Sequence, residues 1–366
     1  MKILVELNHP AHYHLFIKAA VILQKNNNEV AFITKQKDVL LNLIEHYREI
    51  FKIFNRKKKE KKKGFLNNII WMLESDFKTY SIARKFKPDI MLGSNFSISH
   101  IGKLLRVPSL IWQEDDSEVI PYLSIISYPF ASQIVAPQVC SVGKWKAKKI
   151  SYLGYHELAY LHPNHFIPNI HKIEKYVDTS KPFYIIRFAK LTAHHDKGKT
   201  GITSEIAQKI IDILDPHGNI YITSERELET QFEKYRIHIK PKNIHHALYY
   251  ADMYIGDSQT MAAEAAVLGT PSIRFNDFVG KLGYLEELEH KYGLTYGIKT
   301  SEPEKLYQKI EELLNTPNLK QEFQLRQQNM LADKIDVTAF MVWFIENYPE
   351  SAKIMKENPD YQLRFK

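Results

Sequence analysis

The chain has 366 residues, 44% of them hydrophobic and 25% charged, enough for two domains that each bury a core. Its single cysteine, Cys140, excludes an internal disulfide, and no apolar run reaches the length of a membrane span, so a cytoplasmic protein is expected. The net charge of +8 is local: Arg56, Lys57, Lys58, Lys59, Glu60, Lys61, Lys62 and Lys63 carry +6 of it. Next to this cluster come Phe65, Leu66, Ile69, Ile70, Trp71 and Leu73. The pair reads either as a contact holding the protein peripherally on an anionic inner membrane face, or as a solvated loop before a helix packed on its own sheet. Nucleic acid is not expected as a partner, because no aromatics interleave the basic residues.

In chain order, a strand at Ile3 to Leu7 precedes a helix from about His12 to Gln24, a strand at Val30 to Ile33 and a helix around Val39 to His46. A long helix from Phe65 to Phe86 leads to strands at Asp89 to Leu92, Leu110 to Trp112 and Gln133 to Ala136. This alternation is the signature of a parallel sheet covered on both faces, an α/β class. Residues 155–180, with Pro163, Pro168 and little periodicity, read as a linker. Alternation resumes at Phe183 to Arg187, a helix at Ser204 to Leu214 and a strand at Asn219 to Thr223. A helix near Glu225 to Tyr235, a strand at Ile237 to Ile239 and a helix at His245 to Tyr250 follow. The expected organisation is therefore domain 1–154, linker 155–180, domain 181–316, and helices over 317–366 that close the second domain or cross back. Two such domains suggest a ligand cleft between them, beyond the strand C-termini.

The most informative stretch runs from Gly256 to Pro271. After the apolar Met253-Tyr254-Ile255, Asp257 and Ser258 are good N-cap residues, Met261 to Leu268 is strongly helical, and Gly269-Thr270-Pro271 is a stop. Backbone N–H groups at Ser258, Gln259 and Thr260 are placed to face an anion. Glu264 lies one turn further on the same face, where a carboxylate can accept from both hydroxyls of a ribose. The stretch reads as a nucleotide-diphosphate site, against the alternative of an ordinary alanine-rich helix.

Other candidates are less specific. His12 and His14, at the first strand-to-helix junction, can take a proton from an attacking hydroxyl or simply cap and pack. No GxGxxG occurs there, which argues against nicotinamide and flavin cofactors. Asn95 reads as an N-cap. In Gln113-Glu114-Asp115-Asp116, consecutive carboxylates diverge and make a poor metal cage, so Glu114 alone is expected at the cleft. Arg187, ending a strand, can clamp a diphosphate or form a surface ion pair. His194, His195, Asp196 and the pair His245-His246 lack metal-ligand spacing, and no metal is expected.

Asp257-Ser258, then Glu264-Ala265, then Leu268-Gly269 and Pro271 resemble the donor-binding motif of the GT-B superfamily, especially its UDP-GlcNAc 2-epimerase branch. The whole chain is more similar still to the uncharacterised "domain of unknown function 354" family, through Asn8-His9-Pro10-Ala11-His12-Tyr13-His14, Lys87-Pro88-Asp89, Gly154 to Pro163, and Tyr250 through Phe278. The resemblance implies a GT-B-like α/β fold of two Rossmann-like domains whose parallel sheets face across a central cleft. It also implies a nucleotide-sugar substrate and no cofactor. Position by position it implies that Ser258, Gln259 and Thr260 contact the diphosphate and Glu264 the ribose. Lys242, Asn243, Ile244 and His245 would meet the base through backbone groups, with Arg274 and Asn276 near the donor sugar. Two departures stand out: the epimerase branch has glycines at Gln259 and Thr260, and a catalytic aspartate where Asn95 stands. Glu114 matches one of that branch's catalytic glutamates, but its first-loop arginine is missing. The implied activity is therefore nucleotide-sugar-dependent glycosyl transfer, with a glycan or lipid-linked acceptor and His14, His12 or Glu114 as base. A 2-epimerase or a non-catalytic nucleotide-sugar binder is the alternative.

Overall fold

The computed structural model describes residues 1–35, 38–56, 64–189 and 201–366. It divides into two compact units, one of residues 1–165 with 334–366 and one of residues 166–333.

In the first unit the described residues form β1 (Lys2–Leu7), α1 (Pro10–Lys25), β2 (Glu29–Lys35), α2 (Asp38–Ile44), β3 (Lys52–Arg56), α3 (Phe65–Phe86), β4 (Ile90–Gly93), α4 (Phe96–Leu105), β5 (Ser109–Trp112), α5 (Pro121–Ser127), β6 (Gln133–Pro137), β7 (Lys149–Tyr152) and α6 (Leu158–Leu161). All described strand pairs are parallel, in the order β3-β2-β1-β4-β5-β6-β7. Central strands β4 and β5 are buried along their whole length, which is why they read as continuous apolar runs.

The second unit holds β8 (Phe183–Phe188), α7 (Ser204–Leu214), β9 (Asn219–Ser224), α8 (Ile244–Tyr250), β10 (Met253–Gly256), α9 (Gln259–Val267), β11 (Ser272–Phe275), α10 (Gly283–His290), β12 (Thr295–Ile298), α11 (Pro303–Leu314) and α12 (Leu319–Asp333). Its sheet is also parallel, in the order β12-β11-β10-β8-β9. The last helices, α13 (Val337–Glu346) and α14 (Glu350–Glu357), belong to the first unit. There Phe340 meets Trp112 and Tyr152, with ring centroids 6.4 and 5.9 Å away. The 155–180 linker expectation thus divides at His165, and α12 stays with the second unit.

Two local expectations are corrected. The stretch read as a helix from Glu225 is a short 3-10 turn over Thr230–Tyr235. The strand at Ile237 to Ile239 is reduced to one bridge between Ile222 and Arg236. Pro241 follows closely and removes a ladder donor.

Candidate functional site

Each parallel sheet reverses its strand order at one place, where ligands of such sheets collect beyond the strand C-termini. In the second unit this place lies between β8 and β10, with β11 next to β10. Gly256 ends β10, and a Cβ there would strike the Tyr254 hydroxyl and lie 2.9 Å from Arg187 Cβ, so only glycine fits. Helix α9 starts immediately afterwards. Ser258 is its N-cap, its hydroxyl accepting from Met261 N–H at 3.4 Å, and the Ser258 carbonyl accepts from Ala262 N–H at 3.2 Å. Among the described residues the N–H groups of Gln259 and Thr260 have no hydrogen-bond partner, the state in which a helix tip accepts an anion.

Asp257, expected as a cap, does something else. It is buried, and its two carboxylate oxygens accept from Ala189 N–H at 2.6 Å and Ile202 N–H at 3.2 Å. Burial raises its pKa, and those backbone donors oppose the rise. A Cβ on Gly201 would collide with this carboxylate. His194, His195 and Asp196 lie outside the described residues.

Glu264 is 5% exposed, and its Oε1 lies 2.9 Å from His245 Nε2 in α8. The structure thus joins two residues that the sequence placed at the site separately. The acid is held from within by a histidine side chain, where only backbone groups of the His245 loop were expected to act. Ile244, half-buried, begins α8, and Asn243 anchors that turn by donating to the Lys172 carbonyl at 3.2 Å. Arg187 donates to Glu225 at 2.5 Å, while its buried Nε has no partner among the described residues. Of its two sequence readings the ion pair is the one observed, on the strand position opposite Gly256.

Arg274 and Asn276 differ from their expected place at a donor sugar. Arg274 is fully buried and donates to Glu286 at 2.8 Å and Glu289 at 2.7 Å, both on α10. Asn276 is 1% exposed, and its Oδ1 accepts from Phe278 N–H at 2.9 Å. These contacts brace the β11 C-terminus, because a buried guanidinium needs carboxylate partners.

In the first unit the order reverses between β1 and β4. Helix α1 opens with His9 as N-cap, its Nδ1 accepting from Ala11 N–H at 3.2 Å, and Pro10 has no N–H to offer. His12 N–H donates to the His9 carbonyl at 3.0 Å. His12 Nδ1 accepts from Asn8 N–H at 3.4 Å, which uses the ring nitrogen a general base would need. His14 is half-buried between the rings of Tyr13 and Tyr160, each centroid 5.1 Å away. Asn95 caps α4, its Oδ1 accepting from Phe96 N–H at 2.8 Å.

Glu114 is not held out for substrate alone: its Oε2 accepts from His156 N–H at 3.0 Å, and its Oε1 lies 3.6 Å from His156 Nδ1. Burial lowers the His156 pKa to about 3, so the ring is neutral. Arg56 corrects the basic-cluster reading. It is 5% exposed, pairs with buried Glu6, and donates to Asn8 Oδ1 at 2.9 Å and Thr79 at 3.1 Å. Lys57, Lys58, Lys59, Lys61, Lys62 and Lys63 lie outside the described residues. The sequence reading missed Glu6; its signal was a carboxylate in the middle of an apolar strand. Among the described residues no His, Cys, Asp and Glu group could hold a metal, and no helix is long and apolar enough to cross a membrane.

A family model described as a protein of unknown function, DUF354, matches residues 1–348. No curated protein sequence matches the chain. Solved structures match over nearly the full length at low identity. The UDP-GlcNAc 2-epimerase of Neisseria meningitidis bound to UDP-GlcNAc has a TM-score of 0.64 at 13% identity, covering 94% of this chain and 99% of that one. The glycotransferase of kitacinnamycin gives 0.61 at 9% identity, covering 94% and 98%. A spinosyn rhamnosyltransferase complexed with thymidine diphosphate gives 0.60 at 13% identity, covering 94% and 100%. The fold is the one these GT-B glycosyltransferases and epimerases share.

Proposed function

The chain belongs to the DUF354 family, and we propose that it is a nucleotide-sugar-dependent, metal-independent glycosyltransferase that builds a surface polysaccharide or glycolipid in the cytoplasm. The observation that carries this reading is the α9 tip, with two N–H groups unbonded among the described residues at the place where the second sheet reverses order. Charge-assisted hydrogen bonds contribute about 1.5–3 kcal/mol each, and the helix dipole adds to them. Arg187 reinforces the site: its own side chain is largely buried, while its partner Glu225 is 45% exposed and can be given up to water. Arg187 can therefore turn to a diphosphate and stabilise it as it leaves, a preorganised charge that needs no bound cation. Glu264, aligned by His245, takes the ribose hydroxyls. His14, at the strand-to-helix junction of the first unit, is the residue we assign to deprotonating the acceptor hydroxyl.

Thermal-shift measurements with nucleoside diphosphates and their sugars test this, since a ligand at 100 times its Kd adds about 2.7 kcal/mol. A nucleoside diphosphate should raise Tm in wild type and in His14→Ala, with turnover lost only in the latter, and should leave Glu264→Ala unmoved. Sugar inversion or UDP release without acceptor would instead assign a 2-epimerase. Absence of any nucleotide shift, or equal affinity in Glu264→Ala and wild type, overturns the site.

A further inference from the structure

On one side of the first sheet, α4 is tied to α3 and α5 through a single residue. His100 Nδ1 lies 2.8 Å from Asp76 on α3, and its Nε2 lies 2.6 Å from the Ile126 carbonyl on α5. These three linked helices present large apolar side chains to solvent: Ile70, Leu73 and Phe77 on α3 at 54%, 60% and 71%, Leu104 on α4 at 65%, Ile125 on α5 at 59%, and Phe130 just beyond it at 44%. Ile70, Leu73 and Phe77 follow helical spacing along one face. From Val119 to Gly143 the sequence carries no charge at all. Scattered exposed apolar residues need no explanation, but a concentration on linked helices marks an interaction surface.

What covers it is set by the adjoining charge. Lys103, Arg106 and Lys148 line a shallow depression with Pro129 and Phe130. Lys148 donates to the carbonyls of Tyr128, Pro129 and Ala131 at 3.1, 2.7 and 2.9 Å, which fixes the Phe130 loop and uses all three ammonium donors, so its charge acts on an anion only through space. Among the described residues none of the three cations has an acidic partner. Burial and the neighbouring Lys103 both push the Lys148 pKa down, the condition that a bound anion relieves. Asp76, on the same side, is already paired with His100.

We propose that the α3–α5 surface docks on an anionic phospholipid bilayer, with Phe77, Ile125 and Phe130 entering the interface and a lipid phosphate held by Lys103 and Arg106 in the field of Lys148. Basic and apolar groups that each bind weakly combine in this way at a membrane surface. The proposal is independent of the transferase reading, and its test reads membrane binding without any nucleotide.

The full chain is sedimented with vesicles of phosphatidylcholine alone or mixed with phosphatidylglycerol. It should bind the anionic vesicles and not the neutral ones, and release as salt rises. Lys103→Gln with Arg106→Gln should weaken that binding roughly twenty-fivefold, at about fivefold per basic residue. Phe77→Ser with Ile125→Ser should weaken it at least about tenfold, with circular dichroism and Tm unchanged because both side chains are exposed. Inorganic phosphate should compete no better than chloride at equal ionic strength. The proposal is overturned by absent vesicle binding, by equal binding in the variants, by an effect confined to free phosphate, or by a solution dimer that Phe77→Ser with Ile125→Ser dissociates while vesicles bind neither protein.

Discussion

Helix α1 and helix α9 occupy equivalent places, each following a strand at the reversal point of a parallel sheet, yet their tips are finished in opposite ways. In α1 the first position is Pro10, the next N–H goes to the His9 ring, and the third goes to the His9 carbonyl. In α9 a small hydroxyl caps the third position, and the N–H groups of Gln259 and Thr260 are left unbonded among the described residues. Beside the first tip, the chain's own Arg56 already neutralises Glu6. Beside the second, Arg187 is held by a half-exposed glutamate. Equal topology therefore does not make equal sites: what remains unsatisfied at the tip decides where an anion goes.

The strongest way to break the comparison is to unbalance the first tip. Glu6→Ala leaves a buried guanidinium uncompensated and should cost about 3–5 kcal/mol in denaturant unfolding, whereas Glu6→Leu with Arg56→Met should recover most of it. Acid acts on the same unit. The unfolded His156 titrates near 6.5 and the folded one near 3, so the unfolded state binds the extra proton between those values. Stability conferred by the neutral ring is present above pH 6.5 and is lost as pH falls toward 3, by about 2–4 kcal/mol. Replacing His156 with Gln should flatten that part of the stability profile. His246 in the second unit, lowered to about 4 chiefly by burial, acts in the same sense. Asp257, whose pKa is raised, acts oppositely: its contribution declines as pH rises through the folded value.

Transferring the α1 device to α9 sharpens the contrast. Gln259→Pro removes one donor at a position where proline suits a helix. It should keep Tm close to wild type while weakening nucleoside diphosphate binding about ten- to a hundredfold, measured calorimetrically. The smallest effect belongs to the reverse exchange. Pro10→Ala restores a donor to α1 and should change stability by less than about 1 kcal/mol, without creating a second nucleotide site in titration.

The central architecture was legible because buried parallel strands are written as apolar runs. Three strands went unread: β3, β7 and β12. All three sit at sheet edges. Their mixed burial leaves sequences such as Lys-Ile-Phe-Asn-Arg, in which polar positions interrupt the pattern. The α9 tip was legible for a local reason, since caps and stops act within a few residues. The partners of Asp257, Glu114 and Arg274 were not, because Ile202, His156 and Glu289 reach them only through the fold. Each carboxylate or guanidinium advertised its charge, and only tertiary structure revealed what consumed it.

The return of α13 and α14 to the first unit has a consequence for biosynthesis. Leu153 donates its N–H to Gln362 and accepts from Ile335, so the β7 end of that unit waits for residues 335–362. The unit of residues 166–333, contiguous in the chain, has all its parts once Asp333 has left the ribosome. The half begun first is thus the half completed last, and a truncated transcript would strand Trp112 and Tyr152 without the ring of Phe340.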